Sequence, residues 1–545
     1  MTFTVIDYVI FFAYILGIVA LGFFVSREKK GHKKDTNDYF LAGNKLTWWA
    51  IGASLIAANI SAEQIIGMSG SGFASGLAIA SYEWMAALTL LIVGKFFLPI
   101  FIEKKIYTIP EFIEQRYNTT LKTILAVFWI FLFVFVNLTT VMFLGAKALD
   151  TILGNGDGSL LMISMIGLGV VAAAYSLYGG LSAVAWTDVI QVVLLVVGGL
   201  ITTFIALDYV TPEGGILNGF SHVYDVAGDK FHMILDRANP EFSNLPGIAV
   251  LIGGMWIANL YYWGFNQYII QRTLAAKSLK EAQRGIAFAA FLKLIIPFIV
   301  VIPGIVAYVM FSHPEGTVLV EGVRSAFSLP DGGINYDKAY PWLISTFVPT
   351  GLKGVVVAAL TAAIISSLAS MMNSVSTIFT MDIYKPYVQK DASQNQLVRT
   401  GRIVALVAIL IALFIAPFLK TLPQVFQYIQ EYTGLVSPGI LAVSMMGLFW
   451  KKTTTRGAIW GTLLSIPVAL LLKIPAIELP FMDQMMYTFI ITVVIAGMIS
   501  LDSNEADDDP KGFSLTARLF RTDSVFNVAA YTILLLLALL YAVFW

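Results

Sequence analysis

Residues 57–67 read Ala-Ala-Asn-Ile-Ser-Ala-Glu-Gln-Ile-Ile-Gly, which sets Asn59, Ser61, Glu63 and Gln64 inside a stretch otherwise apolar enough to cross a bilayer. A carboxylate and two carboxamides in hydrocarbon are costly unless they face a cavity, a partner or an ion, so such groups mark a solute or ion pathway. Glu83, in Ser81–Met85, and Lys293, which interrupts the apolar run Ile286 to Val300, add opposite charges. They either pair as a structural bridge or line a cavity and bond a polyol, carboxylate accepting and ammonium donating. Ser366, Ser370, Asn373 or Ser374, and Thr377 recur at helical spacing beside Ala362, Ala363 and Ala369. Close helix packing accounts for Ser370 and Ser374. The adjacent Ser366 and Ser367, with a carbonyl one turn earlier, instead offer three hard oxygens to a small cation such as sodium. Tyr261, Tyr262 and Trp263 are either interfacial belt residues or a stacking surface for the C–H face of a sugar ring. Asp188, near the start of its span, is read equally as a helix cap or as part of an ion route.

These residues need long apolar elements to hold them. Of the 545 residues 58% are hydrophobic and 12% charged, against about 25% charged in soluble domains, so the class is an all-α integral membrane protein spanning the lipid bilayer. The zero net charge says little about partners, because charge in such a protein is sorted by side of the membrane rather than summed; no nucleic-acid partner is suggested. With no cysteine there is no disulfide, thiolate chemistry or Cys metal site, and His32, His222, His232 and His313 all read as loop residues. The run from Val5 to Val25 lacks a preceding Lys or Arg and is followed by Ser26-Arg27-Glu28-Lys29-Lys30, as for a retained anchor with its N-terminus outside.

About 20 apolar residues per crossing gives about 14 spans, beginning near residues 5, 46, 77, 121, 159, 181, 247, 282, 348, 401, 424, 455, 484 and 524. Lys and Arg gather in alternate connections, at 27–45, 104–122, 272–284, 385–402 and 451–456, which makes these cytoplasmic. The long loops 208–246 and 311–341 then lie outside, as do both termini; the acidic start of 502–521 fits this pattern least. The second span is interrupted at Asn59–Gln64, and the seventh around Gly253-Gly254, Ala258-Asn259 and Gly264. Two interrupted helices suggest two halves of an inverted repeat with a site between them at the midplane.

The segments Gly52–Gln64, Tyr178–Asp188, Asn259–Gln267 and Phe426–Tyr432 closely resemble the sodium/galactose branch of the solute:sodium symporter family, and the resemblance runs from the first span to the last. It implies one transporter domain over 1–545 with a LeuT-like core. An extra helix at 5–25 precedes a first five-helix repeat at 46–207 and a second at 247–449, and three helices follow at 455–545. It further implies sodium-driven entry of a hexose, galactose or glucose, across a bacterial inner membrane, with sodium as coupling ion, no other cofactor and no enzymatic activity. Carried over by position, Gln64, Glu83, Asn259, Lys293 and Gln430 bind the sugar, whose ring stacks on Tyr262. Met68, Tyr82 and Phe426 cap it from outside, Tyr262 and Trp263 block the inward path, and Asn59 holds the Tyr262 hydroxyl. The sodium site comprises the carbonyls of Ala57, Ile60 and Ala363 and the hydroxyls of Ser366 and Ser367, with Asp188 as an accessory.

The chain departs from the family pattern at Ala86, where a serine is expected, and more mildly at Thr361, whose hydroxyl is expected to satisfy its own helix. Glu63 receives no role. A same-family carrier of sialic acid or an amino acid would show a dedicated cation for the solute's carboxylate, whereas the matched positions are rich in neutral amides. A membrane glycosyltransferase would need an acidic metal-binding pair and soluble catalytic mass. A sodium-dependent sugar sensor would respond to sugar without accumulating it.

Overall fold

The computed structural model describes residues 3–25, 45–106, 108–154, 156–315, 317–318, 320–329, 332–474, 478–502 and 511–545, with backbone alone at 22–23, 25, 175 and 178–186. The basic segment 27–44, the acidic stretch 503–510 and the side chains of Tyr178–Trp186 therefore lie outside the described residues. Regular secondary structure among the described residues is helical, with β geometry confined to the isolated bridges Leu46–Ala276 and Ser328–Ile334. Among the described residues ten helices are long and apolar enough to cross a membrane, and Val5–Leu21 and Leu161–Ala174 are shorter apolar helices.

The elements that position the polar residues are α1 (Val5–Val25), α2 (Trp48–Asn59), α3 (Met68–Ser75), α4 (Ser81–Ile92), α5 (Thr139–Leu153) and α6 (Leu161–Val210). They continue with α7 (Gly254–Phe265), α8 (Gln267–Leu274), α9 (Leu279–Ser312), α10 (Leu352–Ile378), α11 (Val425–Phe449), α12 (Thr455–Leu472), α13 (Phe481–Asp502) and α14 (Ser524–Val543). The expected second span is broken. At 12 residues α2 is about 18 Å long at 1.5 Å per residue, short of the ~30 Å hydrocarbon core. Its ladder ends where the Ser61 amide turns back to Asn59 O at 2.9 Å; one π-helical turn, Glu63–Gly67, then leads into α3. Gly76 follows α3 with φ 70°, and a Cβ there would meet Lys230 O at 2.2 Å, so a residue without a side chain is required at this junction.

The seventh span differs from its expected form. Its centre, α7, is intact through Ala258, Asn259 and Gly264, and the Asn259 Nδ2 bonds back to Met255 O at 3.2 Å within the helix. The interruptions flank it, at Gly253 (φ −124°, ψ −120°) and at Asn266, which is extended (φ −85°, ψ 118°). The spans expected near 159 and 181 both fall within the helical run α6. His222 also departs from its loop assignment, lying on the short helix Ile216–Val226.

The long helix α9 packs against α2, α3 and α4, while α10 packs against α1, α2 and α6. A Cβ at Gly304 would meet Ser69 O at 2.1 Å, so α9 and α3 touch backbone to backbone, the close approach that small residues permit between membrane helices. Large apolar side chains such as Phe414, Phe418 and Tyr531 are instead exposed on the outside, where hydrocarbon is the matching solvent.

Candidate functional site

The α2–α3 break, α4, α7, α9 and α11 surround a cavity of about 60 Å³, large enough to hold water or polar ligand groups. Gln64, Glu83, Asn259, Tyr262, Lys293 and Gln430 all line it, as do Asn59, Tyr82, Trp263 and Ala86. Lys293 and Glu83 satisfy both sequence readings at once, for they pair and also face the cavity. The Lys293 Nζ, fully buried, donates to Glu83 Oε2 at 2.5 Å and to Asn59 Oδ1, and lies 5.0 Å from the Trp263 ring centroid. Gln64 Nε2 donates to Glu83 Oε1 at 3.2 Å. Asn59 Nδ2 donates to the Tyr262 hydroxyl at 3.1 Å, as expected from the sequence, and that hydroxyl bonds in turn to Tyr268. The chain of contacts thus joins α2, the π-helical turn, α4, α7, α8 and α9 around one ammonium.

A buried charge pair with several hydrogen bonds is rigid, since removing any member leaves another unpaired. Its unused valences point to a ligand. Gln64 Oε1, Tyr82 OH, Asn266 Oδ1, Thr433 Oγ1 and Ser437 Oγ line the cavity and are buried without a partner, against the general rule that buried polar atoms are paired. Amide and hydroxyl groups around an aromatic face form a lining that matches a polyol. Of the residues expected to cap the cavity, Tyr82 lines it and meets Phe426 edge-on at 5.2 Å between ring centroids. Met68 and Phe426 are buried behind the lining. Glu63, which had no role, reaches the cavity and accepts from Thr140 Oγ1 at 3.3 Å. Thr361 bonds Val357 O at 2.7 Å, its own helix backbone.

A second cluster lies where α2 meets α10. Ser366 Oγ donates to Asp188 Oδ1 at 2.5 Å, and Ser54 Oγ to Asp188 Oδ2 at 2.6 Å. Arg272 Nη2 stands 3.5 Å from the same carboxylate and donates to Ser370 Oγ at 2.8 Å, while its Nε donates to Ser54 Oγ at 2.8 Å. The cap reading of Asp188 fails: the residue lies inside α6, and both of its oxygens are engaged by side chains of other helices rather than by backbone amides. Ser367 Oγ reaches Ala58 O at 3.5 Å, and Ala57, Ile60, Ala363, Ser366 and Ser367 are all fully buried. Helix end, paired hydroxyls and a carboxylate bring together hard oxygens of the kind such cations take, with the Arg272 guanidinium as the cation already beside the carboxylate.

Sequence reasoning missed several members of both clusters. Arg272 was counted among cytoplasmic basic residues, and only its contacts reveal it as buried. Thr433 and Ser437 follow Gln430 at helical spacing, a signal that could have found them. Met485, on α13, also lines the cavity, and nothing in its surroundings in sequence singles it out.

A family model described as Sodium:solute symporter family matches residues 39–465. The chain is 62% identical over 540 residues to the sodium/glucose cotransporter of Vibrio parahaemolyticus, covering 99% of this chain and 98% of that one. It is 35% identical over 474 residues to human sodium/myo-inositol cotransporter 2, covering 84% and 68%. A solved substrate-bound, outward-open Na+-coupled sialic acid symporter superposes with a TM-score of 0.77 at 24% identity, covering 91% of this chain and 98% of that one. At that identity the likeness is one of fold.

Proposed function

Because the chain belongs to the sodium:solute symporter family, we propose that it carries a hexose, glucose or galactose, into the cell together with sodium by alternating access. The observation that carries this reading is the cavity in which Gln64, Glu83, Asn259, Lys293 and Gln430 converge around Tyr262. The likeness to a sodium/glucose cotransporter supports it. The pairing of Lys293 with Glu83 favours a neutral solute, because this ammonium is already matched and an incoming carboxylate would have to displace Glu83. That argues against sialic acid or an amino acid as cargo.

The architecture that goes with this reading has about 14 crossings, with inverted repeats at 46–207 and 247–449, a helix before them and three after. Both termini face outward from a bacterial inner membrane. External sodium binds first, at the carbonyls of Ala57, Ile60 and Ala363 and the hydroxyls of Ser366 and Ser367. Its site joins the broken α2 to α10 and so favours the outward-open shape. Sodium and sugar then raise each other's affinity by the same factor, since coupling is reciprocal. After closure under Tyr82 and Phe426 the inner side opens, sodium leaves, and movement of Tyr262 away from Asn59 frees the sugar.

Uptake of labelled glucose and galactose into proteoliposomes under an inward sodium gradient tests the reading; no accumulation above that seen in potassium would sink it, and binding without accumulation would mark a sensor instead. In the same assay Ser367→Ala should raise the half-saturating sodium concentration while leaving maximal uptake measurable, and unchanged sodium dependence would remove Ser367 from the ion site. Ala86 forms an apolar wall of the cavity. Ala86→Ser, which adds one donor, should change sugar affinity by about 2- to 10-fold, the equivalent of one hydrogen bond, with sodium dependence unmoved.

A further inference from the structure

We infer that Asn266, Thr433 and Ser437 form a second polyol-binding subsite, which receives the hydroxyls of the transported solute as it passes Tyr262. The inference rests on the functional reading above and adds to it a place along the route. Ser437 lies two helical turns beyond Gln430 on α11, and Asn266 stands equally far along the chain from Asn259, just past the end of α7. Two turns are about 10 Å and return a side chain to the same face. On α11 this returns Ser437 to the face of Gln430, whereas Asn266 stands on extended backbone between α7 and α8; all five residues line the one cavity. Tyr262 hangs between the tiers, its hydroxyl held by Asn59 and Tyr268.

The lower tier is built but unpaired. Asn266 is 3% exposed and Ser437 0%, yet Asn266 Oδ1, Thr433 Oγ1 and Ser437 Oγ have no hydrogen-bond partner. Buried orphans are rare because a polar atom that loses water and gains nothing is destabilising. Neither Thr433 nor Ser437 turns its hydroxyl back onto its own helix, as Thr361 and Ser370 do. Two hydroxyls that both donate and accept, and one carboxamide oxygen that accepts, complement neutral hydroxyl groups and offer nothing specific to a charged solute. A sugar leaving Gln430 and Asn259 would exchange one set of hydrogen bonds for another instead of crossing a bare apolar step.

Thr433→Val and Ser437→Ala keep size and remove the hydroxyl. In proteoliposomes at saturating sodium, equilibrium binding of labelled glucose should stay within about 2-fold of native, while turnover falls by about 2- to 10-fold per side chain, the range for one lost hydrogen bond. Thr433→Ser should restore turnover, and melting in detergent should match the native chain. Native turnover in both variants would overturn the subsite and assign those atoms to bound water alone. A loss of affinity as large as the loss of turnover would also overturn it, since the groups would then belong to the upper tier. Failure of the native chain to accumulate any hexose would sink the functional reading itself, an outcome distinct from both.

Discussion

Lys293→Met should abolish sodium-driven hexose accumulation and lower the melting temperature, and the double variant Lys293→Met/Glu83→Gln should recover the melting temperature alone. The Lys293 ammonium, 0% exposed, is the cation that faces the Glu83 carboxylate at 2.5 Å, and it also holds the Asn59 carbonyl. Deleting it leaves a carboxylate buried at 1% exposure, for which breaking a buried pair costs about 3–5 kcal/mol. That is a large part of the 5–15 kcal/mol by which domains are stable. Neutralising Glu83 as well removes the unpaired charge, so stability returns. Transport should not return, since two charge-assisted bonds, each worth about 1.5–3 kcal/mol, no longer organise Asn59, Gln64 and Tyr262. A loss of about 100-fold or more in uptake rate corresponds to two such bonds at the lower end of that range. Thermal melting in detergent and uptake in proteoliposomes check the two halves separately. A single variant as stable as the native chain, or a double variant that transports at the native rate, would refute the arrangement.

The contrast between the two broken helices shows what the sequence made legible and what it did not. Asn59, Ser61, Glu63 and Gln64 were visible because polar groups in an apolar run have no inexpensive explanation, and the break at Ile60 follows where they stand. The second break was legible in part, for one interruption falls at the expected Gly253. Asn259 also attracts attention as polar, but it bonds its own helix at Met255 O, whereas Asn266 carries the extended backbone. Asn259 thus bonds its own helix and lines the cavity at once, a double role that its sequence neighbours do not reveal.

The same holds for charge partners. Glu83 and Lys293 could be paired by elimination as opposite charges within apolar spans. Asp188 and Arg272 could not, because each sits at a span edge where a cap or a cytoplasmic contact explains it equally well. Hydroxyls are hardest of all: Ser370 and Ser437 look alike in sequence, yet one bonds Ser366 O at 2.8 Å and the other is buried beside the cavity without a partner.

Asp188→Asn and Arg272→Gln should move the sodium requirement in opposite directions. Ser366 Oγ, a proposed sodium ligand, donates to Asp188 at 2.5 Å, and Arg272 stands 3.5 Å from that carboxylate, so in the native chain the two charges largely offset each other at the ion. Asp188→Asn preserves shape and an oxygen acceptor for one of the two serines but unmasks the guanidinium. A unit charge about 5–8 Å from an ion is worth about 2–3 kcal/mol at an effective dielectric of about 20. The half-saturating sodium concentration should then rise by about 30- to 200-fold. Arg272→Gln unmasks the carboxylate, so sodium should bind more tightly, and turnover should slow because release on the low-sodium side becomes harder. Each single variant leaves a buried charge unpaired and should melt earlier than the native chain, while the double variant should regain both stability and near-native sodium dependence. Uptake measured across a sodium titration, alongside melting, separates electrostatics from simple damage. Shifts in the same direction for both single variants would mean that the pair acts only as a packing bridge between α6 and α8, with no influence on the ion.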